Sequence, residues 1–396
     1  MAAFCCGAEP VGRSGGARCD ASAASGVAQG GGRLMHPLAP VGTLFAVTVW
    51  PFLAAFLLLL TPENRQSASS LTFAVAGLVI TPLAVWLMPG TDALAAACSC
   101  IVTAIPLLLP QAQDRTGRIL PFLVTGCALL ALNIHSAFAV TVLCGAGTVL
   151  LAWREGRGPR KALVVWDMAR SRLGGVVLGL LGASLLPMQQ SSLGAVLLTV
   201  GLCMVAGLGP SPAPAPEAAL LDTGLRFSAL MLMFRLSAYP LVHLLMLIAG
   251  FGTIIMLVSS RSSGRSMSLP MLSAFGALAA ATGEGTALVL LLLAALGLAV
   301  LDLRGAEGED GIAAGAAPWP VFCALVGIGR SLETGQLVLL VVCLLPALWS
   351  VRHRTLLPAF ARGERGMVAV MQAVLLLVGL CGPLFLAWHP VTGWRP

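Results

Sequence analysis

The sequence predicts an all-α fold, a polytopic transmembrane helix bundle of about 14 spans, and three observations carry that prediction. Hydrophobic residues make up 58% of the 396 and charged residues only 10%, with a mean hydropathy of +0.94, whereas an average soluble domain has roughly 25% charged residues. Apolar stretches follow one another from about Val41 to Trp388. The basic residues between those stretches fall almost wholly in alternate loops.

A bilayer crossing takes about 20 apolar residues, within a usable range of about 17–25, so the shorter segments must be tilted, kinked or tightly packed. The spans read as 41–60, 71–88, 92–109, 119–134, 136–153, 163–186 and 191–208 in the first half of the chain. They continue as 224–239, 241–258, 269–282, 286–303, 318–331, 335–351 and 367–388, with tight hinges at His135, Pro240 and Gly283. Each odd-numbered span runs into a basic loop. In order these loops hold Arg65, then Arg115 and Arg118, then Arg154, Arg157, Arg160, Lys161, Arg170 and Arg172. Arg226 follows, then Arg261 and Arg265, then Arg304, and last Arg352, Arg354, Arg362 and Arg365. Together they are 17 of the 23 basic residues.

The opposite side has Arg13, Arg18 and Arg33 before the first span, Arg330 in a short turn and Arg395 at the end, while Arg235 is left inside a span. Basic loops stay in the cytoplasm, which puts the odd loops inside and both termini outside. The basic residues comprise 22 Arg and a single Lys, Lys161, beside much Ala and Gly. This usage points to a GC-rich bacterial genome and so to the bacterial cytoplasmic (inner) membrane. Residues 1–40 read as a disordered Gly/Ala/Ser-rich leader without the apolar core of a signal peptide, with Met35 as an alternative start, and 41–396 as the integral membrane domain. The longest polar insertions, 154–162, 209–217 (GPSPAPAPE) and 302–311 (DLRGAEGEDG), are too short to enclose a core.

Four residues are candidates for an ion or proton pathway: Arg235, Tyr239, His243 and His135. Arg235 stands inside the eighth predicted span, where a cation costs about 2.5–3.5 kcal/mol on insertion scales and must face protein, water or a counter-ion. Tyr239, the one tyrosine, follows at i+4, and Pro240 breaks the helix after it. Arg235 either handles ions or ties two helices together by hydrogen bonds. His135 in a turn and His243 just past Pro240 are either proton carriers or structural histidines. Asp167 and Arg170 at i,i+3 read as a local ion pair, and no carboxylate lies between Asp114 and Glu155.

The eleven cysteines are scattered, mostly in apolar segments where Cys acts as a small hydrophobe. Cys98 and Cys100 point apart on a helix and have no accompanying His or Cys pair, so no metal site is expected. No Walker, H-E-x-x-H, G-x-S-x-G or C-x-x-C pattern occurs, and the basic loops do not interleave with aromatics. Catalytic residues, cofactors and nucleic acid are therefore not expected. The lipid bilayer is the expected environment.

The run Leu230-Met-Leu-Met-Phe-Arg-Leu-Ser-Ala-Tyr-Pro240 resembles the eighth-span segment of the antiporter-like membrane subunits of respiratory complex I, membrane-bound hydrogenases and multisubunit cation/proton antiporters. In that resemblance Arg235 takes the place of a Lys and Tyr239 that of a Tyr. Thr253 to Arg265, followed by Leu272-Ser273-Ala274-Phe275-Gly276, resembles the family's basic loop and next helix. Gly207-Leu208-Gly209-Pro210 and Gly158-Pro-Arg-Lys-Ala162 resemble two further segments, so coverage runs from about residue 119 to 351.

The resemblance implies fourteen spans with both termini outside, and inverted five-helix repeats formed by spans 4–8 and 9–13. It also implies membrane partners from an NADH-quinone oxidoreductase or a hydrogenase complex, facing small-residue runs such as Gly174-Gly175 and Gly179. The chain departs from the family at the proton-carrying positions. The fifth-span Glu has no counterpart, the seventh-span Lys falls near Val205, the His before the Gly is Ala274, and the twelfth-span Lys falls near Leu325. The implied role is a degenerate, non-catalytic subunit of a proton- or electron-transfer complex. A stand-alone transporter of an anionic substrate, bound by Arg235, and a scaffold without transport are the alternatives.

Overall fold

Long apolar runs have no water to satisfy their backbone groups inside a bilayer, so they close their hydrogen bonds within helices. The computed structural model describes residues 41–87, 92–110, 112, 114–157, 162–187, 191–209, 215–259, 268–304, 315, 319–351 and 365–388, and among them all regular structure is helical. The expected leader lies outside the described residues. The first helices are α1 (Val41–Leu60), α2 (Glu63–Leu87), α3 (Ala93–Val102), α4 (Ile105–Leu108) and α5 (Arg115–Asn133). Next come α6 (Ala137–Gly156), α7 (Ala162–Leu185), α8 (Ser191–Val205), α9 (Pro216–Arg235) and α10 (Pro240–Ser259). The chain continues through α11 (Ser268–Thr282), α12 (Gly285–Leu303), α13 (Pro320–Ser331), α14 (Thr334–Val351) and α15 (Arg365–Trp388).

α9 forms the centre. Every residue from Ala218 to Met233 is buried, and α5, α6, α8, α11 and α12 all pack on it. The periphery is apolar instead: Phe56, Trp166, Val177, Ile248, Leu377 and Leu384 are exposed, a surface that water would not tolerate at this extent. α2, α5, α6, α10 and α12 are each long and apolar enough to cross a membrane.

Two helices start eight residues earlier than hydropathy predicts. α2 begins at Glu63 instead of 71, because its polar first turns still make helical bonds and Gln66 is buried, donating to Leu58 O at 3.1 Å and Thr61 O at 3.0 Å. α9 begins at Pro216 instead of 224 and ends at Arg235. Pro fits the first helical position, where no amide partner is needed. The third expected span is interrupted at Thr103 and Ala104, between α3 and α4.

α7 and α8 pack through glycines. A Cβ on Gly175 would stand 2.6 Å from Gly201 O, and one on Gly182 would stand 2.6 Å from Gly194 O, so the two backbones are nearly in contact. Gly174, by contrast, would meet only Met204 Cε at 3.7 Å. The small-residue face that the sequence assigned to partner chains is therefore occupied largely by α8.

Side-chain bonds gather the loops at two ends of the bundle. Arg115 donates to Leu59 O, Arg154 pairs with Glu217 at 2.6 Å and Glu155 accepts from the Ala215 amide at 2.7 Å, so the start of α5 meets the end of α1 and the start of α9 meets the end of α6. At the other end Arg235 reaches Asp92, His243 bonds Ala281 O at 2.9 Å, and Ser331 donates to Glu284. These two sets of contacts lie at opposite ends of α5 and α9.

Candidate functional site

Three charged side chains meet in the core. Arg172 is the eleventh residue of α7, about 15 Å along it, and Arg226 is as far along α9, so both stand near mid-depth. Asp222 lies one turn before Arg226. The side chains of Arg172, Asp222 and Arg226 are 1%, 0% and 1% exposed.

Asp222 is gripped from two sides. Arg172 Nη1 donates to Oδ1, and Arg172 Nη2 donates to Oδ2 at 2.5 Å, a bidentate fork from α7. Arg226 Nε donates to Oδ2 at 2.6 Å from the same helix. The remaining reach of Arg226 goes to Ala206 O at 3.2 Å and Ser273 Oγ at 3.4 Å, which ties α9 to the end of α8 and to α11. Space for this guanidinium depends on Gly207, which has φ 73° and where a Cβ would stand 2.7 Å from Arg226 Cζ. Arg172 Nε is buried without a partner among the described residues.

Two guanidiniums and one carboxylate leave one net positive charge at the middle of the bundle. Arginine does not release its proton in proteins, so the cluster acts as a fixed charge and a clamp between α7 and α9, and not as a proton carrier. The charge pattern assigns Arg172 and Arg226 to the basic loops, whereas both are buried within helices, because Asp222 neutralises one charge and lets the apolar runs around them stay helical. The signal present in the sequence was Asp222 and Arg226 at i,i+4 within an otherwise apolar run from Ala218 to Met233.

The four expected pathway residues are not brought together at mid-depth. Arg235 is the last residue of α9, with its side chain 17% exposed. Its Nη1 donates to Ile134 O at 2.9 Å and its Nη2 to Leu132 O at 3.0 Å and Asp92 Oδ2 at 3.3 Å. It thus caps the carbonyl end of α5, where a cation complements the helix dipole. Tyr239 lies beyond the helix end and is exposed, so it does not continue a helical face with Arg235. His135 is exposed in the turn between α5 and α6. His243 is partly buried in the first turn of α10 and bonds Ala281 O. The expected pair of Asp167 and Arg170 is present at 3.9 Å on the surface of α7.

The fold and this site define a multi-pass helical membrane protein with an ionic clamp at its core. No family model matches the sequence, and no curated protein matches it. The fold is similar to a chain in the structure "Respiratory complex I from Thermus thermophilus with bound Aureothin", with a TM-score of 0.70 and 18% identity over 87% of this chain and 98% of that one.

Proposed function

We propose that the chain is an integral membrane subunit of a proton- or electron-transfer complex of the NADH-quinone oxidoreductase or hydrogenase type, built on the antiporter-like fold without its own proton relay. The observation that carries this reading is the match to nearly the whole length of a chain from a respiratory complex. In this reading α3 and α4 make one broken span and the bundle has fourteen. The odd loops face the cytoplasm of a bacterial cell, both termini lie outside, and the partners are other membrane subunits of the complex.

Inverted repeats of spans 4–8 and 9–13 correspond to α5–α9 and α10–α14. Their support is in the packing: α5 touches α9 and α10 touches α14, while the successive neighbours α5 to α8 are matched by α10 to α13. The loss of pumping is supported by charge. Among the described residues no Asp, Glu, His, Lys or Arg side chain of α10–α14 is buried near mid-depth, and the cluster in α7 and α9 is dominated by arginine.

The position of Arg235 favours assembly over transport. Bound to two backbone carbonyls, it behaves as the tie between helices that a non-transporting scaffold needs. Affinity purification in mild detergent from the native membrane, with mass spectrometry of co-purifying chains, tests the proposal. Quinone-oxidoreductase or hydrogenase subunits at fixed stoichiometry are expected. A monodisperse chain recovered alone would overturn it.

A further inference from the structure

A polar cavity of about 390 Å³ opens at the basic end, lined by Glu63, Asp114, Arg115, Thr116, Arg118 and Arg157. Three helix ends make it: the start of α2, the start of α5 and the end of α6. Its side chains carry three positive and two negative charges. None of the three arginines is ion-paired with Glu63 or Asp114 among the described residues.

The guanidiniums are oriented but not saturated. Arg115 donates to Leu59 O, Arg118 Nε donates to Ala112 O at 2.7 Å and its Nη1 to Glu63 O at 3.5 Å, and Arg157 Nη1 donates to Thr116 Oγ1 at 3.1 Å. Each guanidinium has five N–H groups, so donors remain on all three. The amides at the start of α5 add to them, because Asp114 at the N-cap makes no side-chain cap. Helix starts and arginine forks both select phosphate.

The rim is apolar and faces outward. Leu59 and Leu60 at the end of α1 are 48% and 68% exposed. Trp153 on α6 is exposed and supports Arg157, whose Cζ stands 4.6 Å from the ring centre. Tryptophan and arginine in this arrangement mark the headgroup level of a bilayer. A charged cup with a greasy lip fits a molecule that is anionic at one end and aliphatic at the other.

We infer that this cavity binds the phosphate of an anionic phospholipid, with the acyl chains lying against the end of α1 and Trp153. The inference stands apart from the proposed complex, because it rests on this cavity alone. A free phosphate ion shares the headgroup chemistry but would not use the apolar rim.

The test uses the purified full-length chain, delipidated in mild detergent and examined by native mass spectrometry after adding dioleoyl phosphatidylglycerol or dioleoyl phosphatidylcholine. One phosphatidylglycerol retained with at least a tenfold preference over phosphatidylcholine is expected, and about a tenfold weaker retention in Arg157→Gln. Arg170→Gln, a basic surface residue outside the cavity, should retain the lipid as the unaltered chain does. Equal retention of the two lipids by the unaltered chain would overturn the inference without need of any variant. Displacement of the lipid by an equal concentration of inorganic phosphate would reassign the cavity to a soluble anion and overturn it as well.

Discussion

At the scale of single residues, Asp222 is the position on which the core depends. Removing one member of a buried ionic group leaves its partners charged in a medium that cannot solvate them, a cost of about 3–5 kcal/mol. Asp222→Ala strands Arg172 and Arg226 together, so it should abolish the monodisperse peak in size-exclusion chromatography of detergent extracts. Replacing all three residues by apolar ones of similar size, Arg172→Met, Asp222→Leu and Arg226→Met, should restore that peak. A triple variant as unstable as Asp222→Ala would mean that the charge itself is required for folding. This residue was hidden from sequence reading for a physical reason. Its partner Arg172 lies 50 positions away, and Arg226 counted by charge alone looks like any loop arginine. Arg235 was visible for the opposite reason, since it stands out in a Leu/Met run, yet Ile134 O and Leu132 O, which bind it, could not be read from local pattern.

Among the elements, the α7–α8 pair shows most directly how residue size sets helix spacing. With lipid tails as apolar as leucine, helices in a bilayer gain by close contact, which glycine permits. Gly182→Val would push a branched side chain into the α8 backbone, and overpacking of this kind costs about 1–3 kcal/mol or more. A lower midpoint of heat-induced aggregation is expected for Gly182→Val and little change for Gly174→Ala. Equal effects at the two positions would contradict the interface. Element order was legible throughout because hydropathy reports burial in lipid or protein alike. Element starts were less so: the polar turns of Glu63–Ser70 and the Asp222–Arg226 pair lower hydropathy while remaining fully helical.

For the whole molecule, the charge pattern makes a statement about sidedness that labelling can check. In a variant without native cysteines, Arg65→Cys lies in the first turn of α2, at the basic end of the bundle, and Glu333→Cys in the turn between α13 and α14, and both sites are exposed. A membrane-impermeant maleimide applied to intact cells should label Glu333→Cys, whereas Arg65→Cys should react only after permeabilisation. The reverse pattern would invert the bundle.

The ion pairs Arg154–Glu217, Arg172–Asp222 and Arg235–Asp92 tie α9 to the end of α6, to α7 and to the start of α3. α9 is therefore cross-braced at its beginning, its middle and its end, like a truss pinned at three heights, while among the described residues α10–α15 rest mainly on packed apolar surfaces. Strain imposed from the side by a neighbouring chain would leave the braced half rigid. Shear would concentrate where α12 lies against α9, giving the molecule one stiff flank and one compliant flank.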